Sequence, residues 1–379
     1  MAQADRSLVL VGTFREEAVH CVKEACTAVG AVPAIVTRHE EAAGALAEVT
    51  DPIAVVVRMD AEGAAQTFAH IRGHARLAHL PVLGVVPHRD DLAFTELFSW
   101  GGDDIFAVDS VPSLARRLRP LAARAAAPTE PKPRERSVVI AGSDARWRSV
   151  MGRAIYQGGF AVRFVAGGED LAKEAVADGV HVVVVADDLG EGTAEAELKA
   201  TRAAGSTRAW IVVAPPKRMA ALSASIGSFG PVSVADGFAP PENVLFLTNE
   251  LLSRRGVDKR ASPRVLYGST VAFRAAGRDE DEIGFSYNVS AGGLYVRTLA
   301  PLEPGQEVWL DMWPPRSERR VRLAGTVAWR RAFGPSEWAT VPAGFGVSIT
   351  DGLAGDLDRW RVGYQVFADS LLGTAKKRA

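Results

Sequence analysis

Two short polar segments concentrate the residue types best suited to holding an anion. Lys259-Arg260-Ala-Ser-Pro-Arg264 is followed some two dozen residues later by Asn288-Val-Ser290-Ala-Gly-Gly293. Arginine presents a planar fork of donors that can grip a phosphate or a guanine edge bidentately, and its face can stack on a base. Asn and Ser add neutral hydrogen-bonding groups, and a glycine permits a tight turn with close backbone approach. Pro263 stiffens the link between the two arginines, although the spacing alone leaves their directions open. Residues 251–379 hold 19 Lys/Arg against 14 Asp/Glu, an excess of +5 in a chain of formal net charge −1. That local field suits an anionic ligand.

Other clusters are weaker. Asp187 and Asp188 follow an apolar run, where a carboxylate could accept a phosphoryl group, but a solvated loop acid fits as well. His70 and His74 have the i,i+4 spacing of a two-imidazole metal site, with His79 nearby. No glutamate follows His70, and a polar helix face is the simpler reading. Trp100-Gly-Gly-Asp-Asp-Ile resembles the GGDEF signature of diguanylate cyclases. It immediately precedes a closing strand rather than sitting on the hairpin of a much larger domain, so it reads as a turn. Gly190-Glu-Gly192 is too short a glycine signal for a phosphate cradle and reads as a loop.

The elements that must position these residues follow from composition and period. A chain of 379 residues, 47% hydrophobic and 23% charged, fits two or three folded domains. The near-zero net charge argues against a general DNA, RNA or membrane-surface binder. No apolar run approaches the ~20 residues of a membrane span, and the N-terminal residues do not read as a secretory signal. The only cysteines, Cys21 and Cys26, suggest neither a metal clip nor a disulfide framework, so a cytoplasmic location is expected.

Short Val/Ile-rich runs open at Ser7, Ala31, Ile53, Pro81 and Asp103, and again at Ser137, Phe160, His181, Arg208 and Val232. Stretches with helical spacing separate them, the pattern of a parallel sheet covered on both faces. The rhythm repeats after about 130 positions, predicting two tandem flavodoxin-like (βα)5 domains, residues 1–125 and 137–255, joined by a Pro- and charge-rich linker, residues 126–136. From residue 256 to 379 the runs alternate polar with apolar and are joined by short turns. This predicts a six-stranded antiparallel barrel closed by a helix over Ala354–Leu371, with Trp360, Val362, Val366 and Leu371 covering a barrel end. The fold class is α/β plus all-β.

Both N-terminal halves resemble response-regulator receiver domains. HLPVLGVV with GGDDIFAVDSVPSLARRLRPLAAR carries the likeness in the first half, and SVVIAGSDARWRSVMGRAIYQGGFAVRFV carries it in the second. Phosphotransfer in that family needs an acidic pair, an acceptor Asp, a hydroxyl and a Lys. In the first half Gly12 and Thr13 stand at the acidic pair, Val86 at the hydroxyl and Val108 at the Lys, and Asp60 lies two or three positions late. In the second half Gly142 and Ser143 replace most of the acidic pair, leaving Asp144, and Phe238 falls near the Lys position. The resemblance therefore implies two degenerate pseudo-receivers that serve as scaffolds.

The last third resembles the PilZ family, whose pattern is RxxxR followed by [D/N]xSxxG; LAGTVAWRR and AGFGVSI also look like its barrel strands. The resemblance implies a cyclic di-GMP site in which Arg260 and Arg264 clamp phosphate and guanine. Asn288 and Ser290 would hydrogen-bond the base or phosphate, Gly293 would provide the turn, and Lys259 would add charge. The expected function is a non-enzymatic signalling effector that relays cyclic di-GMP to an unidentified signalling or motility protein, in the control of motility or surface polysaccharide. The joint Ser253–Asp258 would be its moving element. Two alternatives remain open, a ligand-independent protein adaptor and a response regulator phosphorylated at Asp187.

Overall fold

A computed structural model describes residues 6–49, 51–74, 76–86, 91–107, 111–126, 134–253, 262–334, 336 and 341–376. The first domain has β1 (Arg6–Val11), α1 (Glu16–Thr27), β2 (Ala31–Val36), α2 (Ala42–Glu48), β3 (Pro52–Arg58) and α3 (Ala64–Gly73). It continues through β4 (Val82–Val86), α4 (Asp91–Ser99), β5 (Asp104–Ala107) and α5 (Val111–Ala126). Its strands are parallel in the order β2-β1-β3-β4-β5. The second domain repeats the plan: β6 (Ser137–Ala141), α6 (Ala145–Gln157), β7 (Ala161–Val165), α7 (Gly168–Glu174) and β8 (Val180–Ala186). Then come α8 (Ala194–Ala203), β9 (Ala209–Ala214), α9 (Pro216–Ile226), β10 (Val232–Asp236) and α10 (Glu242–Ser253). The strand order, β7-β6-β8-β9-β10, is the same topology. The reason is visible in the central strands: every residue of β9 and nearly every residue of β3 and β8 is buried, as a sheet covered by helices on both faces requires.

The third domain has β11 (Val265–Leu266), β12 (Thr270–Ala275), β13 (Glu282–Ser290), β14 (Gly293–Arg297), β15 (Glu307–Met312), β16 (Val321–Arg331), β17 (Gly344–Gly352) and α11 (Asp356–Lys376). Strands β13-β12-β15-β16-β17-β14 form an antiparallel ring that the β13–β14 pairing closes, and the two-residue β11 adds onto β13. The six-stranded barrel is as expected, but the face of α11 that covers it differs. Trp360, Tyr364 and Ala368, spaced i, i+4 and i+8, are buried against the barrel core, while Val362, Val366 and Leu371 are exposed. Two apolar stripes run along this helix. The bulkier stripe fills the barrel end, where burying large apolar side chains contributes most.

The barrel is docked on both preceding domains. Phe285 of β13 enters the core of the first domain and stacks on Phe94 at 5.7 Å between ring centroids. The segment read as a turn, Gly101–Asp104, is the hub where the three domains meet. Asp103 receives Arg72 of α3 (3.2 Å) and Arg153 of α6 (2.8 Å), joining the first domain to the second. Asp104 accepts from Arg117 Nε of α5 (3.0 Å) and from the barrel's Leu299 N–H (2.7 Å). Arg117 Nη1 then donates to Glu282 of the barrel at 2.6 Å. Arg297 of β14 forks onto both carboxylate oxygens of Glu242 in α10 (3.0 and 2.9 Å) and also donates to Gly102 O at 2.7 Å. All these side chains are buried, where removing one partner of an ion pair leaves an uncompensated charge and is costly. The expected turn is present, with Gly101 at φ +84°, and its two acids are buried in ion pairs.

Candidate functional site

Strand register assembles the motif residues. Val265 pairs with Val289 and Leu266 with Asn288, so Arg264 directly precedes the ladder and Ser290 directly follows it. Ser290 pairs across the hairpin with Gly293, and Gly293 pairs with Ser348 of β17. Arg264, Asn288, Ser290 and Gly293 thereby line one pocket of about 180 Å³ on the outer wall of the barrel. Tyr364 Oη donates to Pro263 O (2.6 Å), so the covering helix anchors the residue just before Arg264. Ser262 Oγ accepts the Ala291 N–H at 3.2 Å, pinning the approach to β11 against the β13–β14 turn. Lys259 and Arg260 lie outside the described residues.

The site residues are not equivalent. Arg264 and Ser290 are half-buried, whereas Asn288 is only 2% exposed. Ser290 Oγ donates to Gly293 O (3.2 Å), bracing the two-residue turn. Gly293 does not have the positive φ expected of a turn glycine. It is required by close approach instead, because a Cβ there would lie 2.3 Å from Val347 O of the neighbouring strand.

Sequence reasoning missed the aromatic part of the lining. Tyr295 and Trp329 also line the pocket, with ring centroids 4.9 Å apart, and Gly346 makes room for the indole, since a Cβ there would lie 2.6 Å from Trp329 Nε1. Trp329 is half-buried. The signal was present in LAGTVAWRR, but only the register Trp329–Gly346 brings it to the motif.

The acids of the degenerate receiver positions are committed elsewhere. Asp144 caps α6, accepting from the N–H groups of Arg146 and Trp147 at 2.8 and 3.2 Å. Asp187 is 6% exposed and paired with Arg218 at 2.8 Å. Burial pushes its pKa up, and Arg218 offsets this only in part. Asp188 accepts the Gly190 N–H (2.8 Å), as a loop acid does. In the first domain Asp60 is held by Arg58 at 2.7 Å. His70 and His74 bring their rings to 6.0 Å, and His79 lies on a different segment facing Tyr156. Among the described residues no group of three or more His, Cys, Asp or Glu could hold a metal ion.

A family model described as PilZ domain matches residues 258–360. This is the region of the barrel and its pocket. Residues 258–360 are a PilZ domain. PilZ domains are a family of cyclic di-GMP-binding modules without catalytic activity. No curated protein matches the chain. Among solved structures the chain is similar to the Bacillus subtilis inhibitor of motility MotI/DgrA, at 20% identity and TM-score 0.24, over 31% of this chain and 53% of that one. This chain thus spans about half the length of that relative. A probable two-component system response regulator/GGDEF domain protein is similar at 16% identity and TM-score 0.29, over 65% of this chain and 98% of its own. The signal receiver domain of a histidine kinase from Syntrophus aciditrophicus is similar at 17% identity and TM-score 0.29, over 34% of this chain and 97% of that domain. Among the described residues no helix is long and apolar enough to cross a membrane.

Proposed function

We propose that this chain is a cyclic di-GMP effector whose PilZ pocket senses the nucleotide and whose receiver-like domains present the result to a protein partner. The observation that carries this reading is the meeting of Arg264, Asn288, Ser290 and Gly293 in one pocket. A guanidinium beside neutral donors and acceptors, with aromatic side chains in the same lining, suits a guanine base joined to phosphate. The pocket holds part of such a ligand, and the rest would lie over the barrel wall towards Lys259 and Arg260. Arg260 and Arg264 would take phosphate and guanine edges, each charge-assisted bond contributing about 1.5–3 kcal/mol.

The route out of the pocket runs along β14. Gly293 lines the pocket, and Arg297, four residues further along the same strand, forks onto Glu242 of the second domain. On the paired strand Tyr287, next to Asn288, donates from Oη to Glu242 O at 2.6 Å. A ligand that shifts β13 and β14 would therefore bear directly on the domain junction; residues 254–258 of the expected moving joint lie outside the described residues. The downstream partner would be a signalling or motility protein, or one that controls surface polysaccharide. Calorimetric titration of the full chain with cyclic di-GMP, wild type against Arg264→Ala, tests the reading.

A further inference from the structure

A second cavity, sharing no lining residue with the barrel pocket, lies between the two receiver-like domains. It is a groove of about 820 Å³, walled by the end of α3 and the His79 loop on one side and by α6 and β7 on the other. Arg134, Arg148 and Arg153 line it, and among the described residues no Asp or Glu does. Arg134 spends its hydrogen bonds on Tyr156 O and Phe160 O (both 2.6 Å), and Arg148 on the carbonyls of Gly142 and Ser143. Among the described residues neither faces a carboxylate.

The base of the groove carries surplus charge. Arg72 and Arg153, both buried, share the single carboxylate of Asp103, and Arg153 Nε is buried with no partner. Burial, with the neighbouring Arg153 charge, pushes Arg72 down to about 9, so it stays charged at neutral pH. His79 at the rim is held below its usual value by desolvation and by the fields of Arg153, Arg72, Arg124 and Arg134. Uncompensated buried charge is costly, and an anion in the groove would offset it.

Flat apolar surfaces accompany the cations. The Arg134 guanidinium lies 3.5 Å from the Tyr156 ring centroid, and Phe164 is 53% exposed. Gly152 lets the Phe164 ring lie close on α6, since a Cβ there would sit 2.5 Å from it. A nucleobase can stack on such a ring, and the volume is that of a small-ligand site.

We infer that this groove binds a nucleotide, its phosphate held by Arg148 and Arg153 and its base stacked on Phe164 or on the Arg134–Tyr156 pair. The site does not rest on the cyclic di-GMP reading of the barrel. It is tested by isothermal titration of the full chain with ATP, GTP, AMP, GMP and inorganic pyrophosphate, with thermal melts to confirm that each variant folds. At least one nucleotide is expected to bind saturably and more tightly than pyrophosphate. Arg148→Gln and Arg134→Ala should each weaken it about tenfold, Phe164→Ala should abolish the preference over pyrophosphate, and Arg264→Ala should change nothing. The inference is overturned if no nucleotide binds at millimolar concentration, if pyrophosphate binds as tightly, if folded Arg148→Gln and Arg134→Ala variants bind as well as wild type, or if Arg264→Ala abolishes binding.

Discussion

Arg264 and Ser290 flank the Val265–Val289 pair that β11, only two residues long, makes with β13. A minimal strand thus sets a charged side chain against the β13–β14 turn, and both residues line the same pocket. If that pocket takes a phosphate or guanine edge, losing the guanidinium removes a charge-assisted contact. Arg264→Ala is therefore expected to weaken cyclic di-GMP binding about ten- to a hundredfold, and Arg260→Ala similarly, by calorimetry.

Gly293 is constrained by β17. With Val347 O 2.3 Å from the position of a Cβ, and with backbone as the obstacle, Gly293→Ala must push two strands apart. A loss of about 1–3 kcal/mol in urea denaturation is expected, together with weaker ligand binding. Gly292→Ala, where a Cβ meets nothing within 4 Å, should be benign by the same assay.

The domain junction should respond to loss of a single partner. Arg117→Met leaves Asp104 and Glu282 buried without their shared cation. A penalty of about 3–5 kcal/mol is expected, read as a lowered denaturation midpoint. Arg297→Met should do the same through Glu242, and limited proteolysis should then cut between the second domain and the barrel.

Acid should also loosen this junction. Burial alone would raise the Glu282 pKa, but Arg117, Ser113 and Arg116 hold it below the usual glutamate value. Its contribution to stability is present above the unfolded value of about 4.3 and is lost as pH falls through the lower folded value. Asp104 has the opposite sign, because burial raises its pKa and protonation relieves that cost. Glu282→Gln should accordingly flatten the acid limb of a stability-against-pH curve, whereas an unchanged limb would remove Glu282 as its source.

Phosphorylation at Asp187 is expected to fail. Its carboxylate is buried and bound to Arg218, and Asp144 is committed to capping α6. Acetyl phosphate or beryllofluoride should leave the mass, the scattering profile and cyclic di-GMP affinity unchanged, and Asp187→Asn should behave as wild type.

Much of the architecture was legible because continuous Val/Ile runs such as those of β3, β8 and β9 have few alternatives to a buried parallel strand. Strand ends were less so: β13 and β17 each extend beyond their apolar runs, since pairing rather than hydropathy ends them. On α11 two apolar stripes share the helical period, and only the barrel end selects Trp360, Tyr364 and Ala368. Asp103 and Asp104 looked like turn residues because their partners, Arg153 and Leu299, are remote in sequence. The PilZ motif residues were legible as a pair of segments, whereas Trp329 and Ser348 join them only through strand register.

The central claim is that the barrel pocket reads cyclic di-GMP. Its most direct test is isothermal titration of the full chain with cyclic di-GMP, repeated on Arg264→Ala. Saturable uptake at about micromolar concentration or below, weakened at least tenfold by the substitution, is predicted. No heat at tens of micromolar, or equal affinity in a folded Arg264→Ala variant, would contradict it.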